Sequence, residues 1–364
     1  MMNVKAMIRD FVPGKRWLAL AAAVALAAGL VTPVLASTLS VWNVDTRVGG
    51  VATDPTGRVW IQVLGTDGLR MLAPGSNYET LTTYTTASIS HAVKRPFADS
   101  TGDIWTIGTV PGVSTVQVIS RFDPTSQVIT SWPSGFVADS IAAGSAGDGW
   151  FADFGTTSIS KVEPGTNTVT TWALPFTVRD VGGVDASNRA WFSYFNVGAS
   201  EWGLARLDPV ANEVLTWPVS GGTDVVFRPV LDSAGNVWAA LARVFEDSII
   251  QLDPVTNDLT EYRCAPGCDL LRDVAVDASG KVWFTEDVGP ENGVDRIGRL
   301  DPAGPSFTQW DVGCNKLNLV NSCTSNGVFS PLPRSIAVDS AGNGWVSFQN
   351  NDNNIKVRIA RITP

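Results

Sequence analysis

Apolar and polar residues alternate in short bursts along most of this chain, and Asp, Gly, Pro and Asn punctuate them. A period of two predicts β-strands with one buried face, and no stretch after the first 36 residues carries a helical period. The bursts themselves repeat. Asp277-Ala278-Ser279-Gly280-Lys281-Val282-Trp283-Phe284 is one copy of a unit that typically reads Asp, two small residues, Gly, two more residues, Trp. Seven copies end at Trp60, Trp105, Trp150, Trp191, Trp238, Trp283 and Trp345, spaced 45, 45, 41, 47, 45 and 62 residues apart. A period in that range marks a repeat architecture.

The sixth repeat shows the elements. Val274–Val276 predicts a first strand. Asp277 to Gly280 predicts a tight turn, in which the Asp side chain bonds nearby backbone and Gly accepts a positive φ. Val282–Thr285 predicts the second strand and Ile297–Leu300 the third. Asp301-Pro302 opens another turn, and Phe307–Trp310 predicts the fourth strand. The second turn recurs at Asp123-Pro124, Glu163-Pro164, Asp208-Pro209 and Asp253-Pro254, with a weaker version at Ala73-Pro74. The fourth-strand aromatic recurs as Tyr84, Trp132, Trp172, Trp217, Tyr262 and Trp310. Four strands per repeat give an all-β fold, a seven-bladed β-propeller of four-stranded blades.

The last repeat stops after its third strand, Val357–Ile362. Its fourth is expected from the other end, Leu39–Val44, where Trp42 matches the recurring aromatics. The N-terminal strand thus completes the last blade and leaves no open ring edge. A monomer is expected. The repeated Trp rings are expected to fill the space between blades. The non-repeat Trp202 is the exception, with carbohydrate stacking as its alternative role. The Asp-x-x-Gly turns lack the alternating oxygen ligands of calcium loops.

Residues 1–36 change the picture. Lys5, Arg9, Lys15 and Arg16 precede an apolar run from Trp17 to Leu35, and Val34-Leu35-Ala36 offers small residues before a cut at Ser37. This predicts a signal peptide over 1–36, a propeller over 37–364, and a secreted protein. A periplasmic protein, or one anchored at the membrane by an uncleaved leader, is the alternative. Loss of the leader, with its four basic groups and one acid, moves the net charge from −9 to −12. An acidic surface argues against a nucleic-acid partner. Cys264 with Cys268 and Cys314 with Cys323 are expected as two local disulfides, although three connectivities stay open. A zinc site is the competing reading, against which stands a single His in the chain.

Val274 to Glu286, followed by Ile297-Gly298-Arg299-Leu300-Asp301-Pro302, resembles the repeat of the virginiamycin B lyase (streptogramin lyase) family, which overlaps with NHL repeats. The resemblance covers roughly residues 37–364 and implies the seven-bladed fold. It also implies a Mg²⁺-dependent elimination that opens a cyclic depsipeptide at an ester bond, using His and Glu residues. Glu286 stands where the family motif has its Glu. The catalytic His residues have no counterpart, because His91 is the only His and lies in the linker before the second copy.

Two groups of residues go beyond packing. Arg95, Arg179, Arg228, Arg272 and Arg334 stand four to six residues before the turn Asp, or its equivalent, in five repeats. On a propeller they converge at one mouth of the channel. They would take an anionic small molecule or an acidic segment of a partner protein. The competing reading pairs each with acids of its own or the next blade, such as Asp180 or Asp273. The second group is acidic: Glu286, Asp287, Glu291 and Asp295 in one loop and Asp352 in the next could supply oxygen ligands for Mg²⁺ or Ca²⁺. Two solvated polar loops are the alternative. No nucleophile elbow, zinc-protease motif or phosphate loop occurs. The expectation is a ligand- or partner-binding propeller with an anion-binding funnel. The alternatives are a Mg²⁺-dependent lyase and a metal-dependent lactonase-like hydrolase. Both require a divalent ion.

Overall fold

The structure, a computed structural model, describes residues 37–364 except 45–46, 65–67, 75–77, 79, 85–89, 92–94, 111–112, 136–137, 153–154, 245–246, 265–267, 269, 287–295, 313–331 and 350–356. The leader 1–36 and the pair Cys314 and Cys323 lie outside the described residues. Leu39–Thr363 form one compact unit. Among the described residues it holds seven antiparallel sheets and no α-helix. The fold is a seven-bladed β-propeller, with strands a to d running outward in each blade.

Blade 6 consists of Leu271–Val276, Val282–Glu286, Arg296–Asp301 and Ser306–Asp311. Each strand is longer than its apolar core suggests, because the ladder continues into polar residues. Glu286 pairs in register with Leu271 on one side and Arg296 on the other. It therefore ends strand b and is not a loop residue.

The last blade closes the ring as expected. Its sheet runs Leu332–Val338, Gly344–Gln349, Val357–Thr363 and then the N-terminal strand Thr38–Val44 on the outside. Trp42 lies 5.0 Å from Trp345, centroid to centroid. The same stack occurs in all seven blades. Trp60 meets Tyr84, Trp105 meets Trp132, Trp150 meets Trp172, Trp191 meets Trp217, Trp238 meets Tyr262 and Trp283 meets Trp310, at 5.1 to 5.7 Å. The seven repeat tryptophans are fully buried, so packing is their role, and each stack adds about 0.5–1.5 kcal/mol to what burial gives. Trp202 is half-buried against Phe195, with ring centroids 4.8 Å apart.

The Asp of the repeat does more than shape a turn. In blade 6 its Oδ1 accepts from the backbone N–H of Ser279 (2.9 Å) and Lys281 (3.0 Å), while Gly280 takes φ 80°. Its Oδ2 accepts the indole N–H of Trp283 at 3.2 Å. Asp54, Asp99, Asp185, Asp232 and Asp339 hold their own tryptophans the same way, at 2.8 to 3.4 Å. Cys264 and Cys268 form the expected disulfide, Cα to Cα 5.4 Å, in the connection between blades 5 and 6.

Candidate functional site

Strand a of each blade lines the axis, and near its start the ladder is irregular in six of the seven blades. Thr177–Val184 carries a register shift that leaves Arg179 as the extra residue. Leu332–Val338 does so at Arg334, and Arg47–Thr53 at Gly49. In Leu271–Val276 the shift falls over Arg272 and Asp273. In blades 2 and 5 strand a is split in two, into Ser90–His91 and Phe97–Ala98, and into Val225–Val226 and Val230–Leu231. Arg95-Pro96 and Arg228-Pro229 fill those gaps, where proline has no N–H to give the ladder. A bulge re-aims a side chain, and every arginine of the sequence-derived set sits at one of these breaks.

The consequence is convergence. Arg95, Arg179, Arg228, Arg272 and Arg334 all line one cavity of about 450 Å³ at the axis, together with Asp139, Asp180, Asp273, Ser140, Phe227 and Gly49. Five guanidinium groups face three carboxylates there, in a protein whose net charge is −9. Phe227 holds two of the arginines, its ring centre 4.8 Å from Arg179 and 5.8 Å from Arg272. Neither Phe227 nor Asp139 belongs to a repeating pattern that would single it out. The doubled Arg-Pro pair was the available signal for a broken inner strand.

Asp273 is the hub of the floor. Its Oδ1 lies 3.2 Å from a terminal nitrogen of Arg228 in blade 5, and its Oδ2 accepts the backbone N–H of Ile336 in blade 7 at 2.9 Å. Arg95 reaches across from blade 2 to the same Oδ2 and also donates to the carbonyl of Ile336. The side chains of Arg95, Arg228 and Asp273 are 18%, 12% and 8% exposed, so water screens the group little. Burial, and then the Arg228 charge, push the Arg95 guanidinium down to about 9, while Asp273 pulls it up. The expected alternative, pairing within a blade or with its neighbour, thus holds for Arg179 with Asp180 at 3.5 Å and for Arg228. It fails for Arg95, whose own strand is broken by Pro96 and whose partner is across the channel.

Below the collar the channel changes character. A second cavity of about 290 Å³ shares Arg95 and Arg228 as lining; apart from these and Thr53, its walls are apolar side chains and glycine. Farther down, a space of about 360 Å³ opens among the turn residues Asp54, Asp99, Asp277 and Asp339. Along the axis the order is basic collar, apolar waist, acidic mouth.

Of the acidic candidates, the described one does not join this site. Glu286 is fully buried and lines none of the three cavities. Gln309 Nε2 donates to both of its oxygens, at 3.4 and 3.1 Å, and Arg296 stands 4.0 Å away. Gln309 also reaches Cys268 Sγ at 3.1 Å. A carboxylate met by an amide and a guanidinium does not fit as a divalent-cation ligand, and among the described residues no three His, Cys, Asp or Glu side chains are grouped so that they could hold a metal ion. Asp287, Glu291, Asp295 and Asp352 lie outside the described residues. His91 is not a linker residue: with Ser90 it forms a short strand against Gly108 and Thr109.

With this geometry in view, solved structures place the fold. A streptogramin B lyase structure is 17% identical, with 90% of this chain and 97% of the other covered and a TM-score of 0.66. A catalytically inactive virginiamycin B lyase from Staphylococcus aureus with quinupristin is 15% identical, with 90% and 99% covered and the same TM-score. YCF48 bound to D1 peptide is 12% identical, with 92% and 100% covered and a TM-score of 0.56. The chain shares their propeller fold, and at such identities the likeness extends to the fold alone. No protein-family model and no curated protein matches the sequence.

Proposed function

We propose that this chain is an exported binding propeller whose axial funnel receives an anion. One observation carries the reading: five arginines, each at a break in an inner-strand ladder, line one cavity with two more cations than carboxylates. Guanidinium forks suit carboxylate and phosphate oxygens, and the low exposure of Arg95 and Arg228 strengthens their contacts. Asp273 shows such a contact already made inside the protein. Export rests on the leader pattern over residues 1–36 and agrees with the Cys264–Cys268 disulfide.

The fold's neighbours include both a lyase and a peptide-bound propeller, so fold does not choose between catalysis and binding. The site does. A lyase or lactonase reading needs oxygen ligands for a divalent ion, and Glu286 is committed to Gln309 and Arg296. The test is calorimetric titration of acetate and of inorganic phosphate at low salt. Wild-type protein binds at least one of them, and the double variant Arg272→Gln, Arg334→Gln loses at least about tenfold, since a hydrogen bond to a charged group contributes about 1.5–3 kcal/mol. Equal binding by both proteins rejects the funnel. Sequencing the N-terminus of the secreted protein checks export, with Ser37 expected first.

A further inference from the structure

We propose that the ligand of the funnel is an amphiphilic acid, a carboxylate head with a short alkyl tail, and that the tail lies in the waist. This rests on the anion reading above and adds the part of the ligand that the collar does not see. Two observations carry it. The first is contiguity. The collar and the waist share Arg95 and Arg228 in their walls, so a group held by those guanidiniums stands at the entrance to both. The second is the chemistry of the waist. Its volume is about 290 Å³, against roughly 30 Å³ for one water in the liquid. The lining includes Ala52, Phe97, Ala98, Val230, Ala275 and Ala337. These side chains take alkyl groups favourably, while the outward edge of each inner strand keeps backbone N–H and C=O groups along the same wall for water.

The head is a carboxylate because this level of the channel already holds one. Asp273 is met there by two guanidiniums and the backbone N–H groups of Val274 and Ile336. An incoming acid exchanges its carboxylate for that of Asp273 on Arg95, which otherwise stretches across the axis between collar and waist. Head and tail then face the two kinds of wall present, and the acidic mouth beyond stops a second anion from entering at the far end.

The test is an affinity series on the full-length protein, by calorimetry at one low ionic strength: acetate, butanoate, hexanoate, octanoate, with inorganic phosphate and 1-octanol as controls. Affinity rises about fourfold for each methylene buried, then levels off once the waist is full. Octanol binds at least tenfold more weakly than octanoate. Val276→Leu and Val338→Leu, each adding a methylene at a half-buried lining position, bring the levelling-off to a shorter chain. A flat series, with acetate and phosphate both binding, overturns the tail and leaves the anion funnel standing. A rising series that neither waist variant alters also overturns it, because the tail then lies elsewhere. No binding by any acid or by phosphate rejects the funnel itself. The wild-type series decides about the tail even where a variant does not fold.

Discussion

The two mouths of the channel are both charged by repetition, yet they are built in opposite ways. At the acidic mouth each aspartate spends both oxygens inside its own repeat. Asp277 takes two backbone N–H groups on one oxygen and Trp283 on the other, and Asp54, Asp99 and Asp339 do the same for theirs. At the collar the arginines bond between blades, across the axis, and beside aromatic rings. The acids also keep step with the turn, whereas the arginines wander between four and six residues ahead of it. A charge that repeats in register with its own partners is fold. A charge that repeats out of register, at ladder breaks, and faces a shared cavity is the candidate for a site.

The largest expected effect tests the structural half of that contrast. Asp277→Ala leaves the indole N–H of Trp283 without its acceptor in a fully buried position and opens the turn. An unsatisfied buried donor costs about 1–3 kcal/mol, and with the turn bonds the loss is about 3 kcal/mol. For a domain of this size that lowers Tm by about 4 °C, while anion affinity at the collar stays within twofold. Asp277→Asn sharpens the point. The amide keeps an acceptor for the turn but turns its N–H₂ toward the indole, so it recovers only part of the loss. A Tm drop under 2 °C for the Ala variant would place these acids outside the fold's support.

Asp273→Asn should give a smaller and mixed result, because Asp273 belongs to both halves. The Ile336 N–H can keep an acceptor, but Arg95 and Arg228 lose their shared negative charge. The expected cost is about 1–2 kcal/mol of stability. Anion affinity rises about fivefold, from one added net charge acting in an enclosed site of moderate dielectric. A purely structural hub would lose stability with no gain in anion binding. A fall in affinity would mean that the negative charge of Asp273 serves ligand binding, contrary to its role as a stand-in.

Blade 3 shows how much of this was legible beforehand. The repeat spacing, the four-strand unit and closure by Trp42 could be read because they depend on local periodicity and on large rings at fixed offsets. The Asp-to-Trp bond was not read, since side-chain direction across a turn is a three-dimensional fact. Blade 3 lacks that Asp: Gly144 stands in its place, and Trp150 turns to Asn188 of the next blade at 3.4 Å. A Cβ on Gly144 would meet Asn188 Oδ1 at 2.6 Å, so the exception is compensated by a residue 38 positions away. The collar was half legible. Its arginines could be named from their place ahead of the turn, but not the bulges that aim them, nor the reach of Arg95 to Asp273 over 178 residues. Glu286 was misplaced because the motif marks where a strand weakens in sequence, whereas its ladder runs on through the polar residue.

The smallest expected effect comes from a second set of arginines, on the outer part of blade 5. Arg243 donates to both oxygens of Glu261, Ser248 Oγ donates at 2.8 Å and Arg263 at 3.2 Å, while Arg243 also holds Asp224 at 3.1 Å. Two cations face two carboxylates, all local to one blade, so by the contrast drawn between the mouths this is fold and not site. Its signature is acid-dependent stability. The Arg243 hydrogen bonds, ahead of that from Ser248, hold the Glu261 carboxyl down to about 2. A carboxylate depressed in the folded state contributes its stability above its unfolded pKa of about 4.3, and loses it as the pH falls toward 2. With 29% of the Glu261 side chain exposed, screening by water limits the amount to about 1 kcal/mol. Glu261→Gln should therefore melt about 1–2 °C below wild type at pH 7, and the gap should close between about pH 4.3 and 2. Anion binding at the collar should not change. A gap that persists at pH 2 would mean the loss is one of packing, and a change in anion binding would mean that local pairing does not separate the two kinds of arginine.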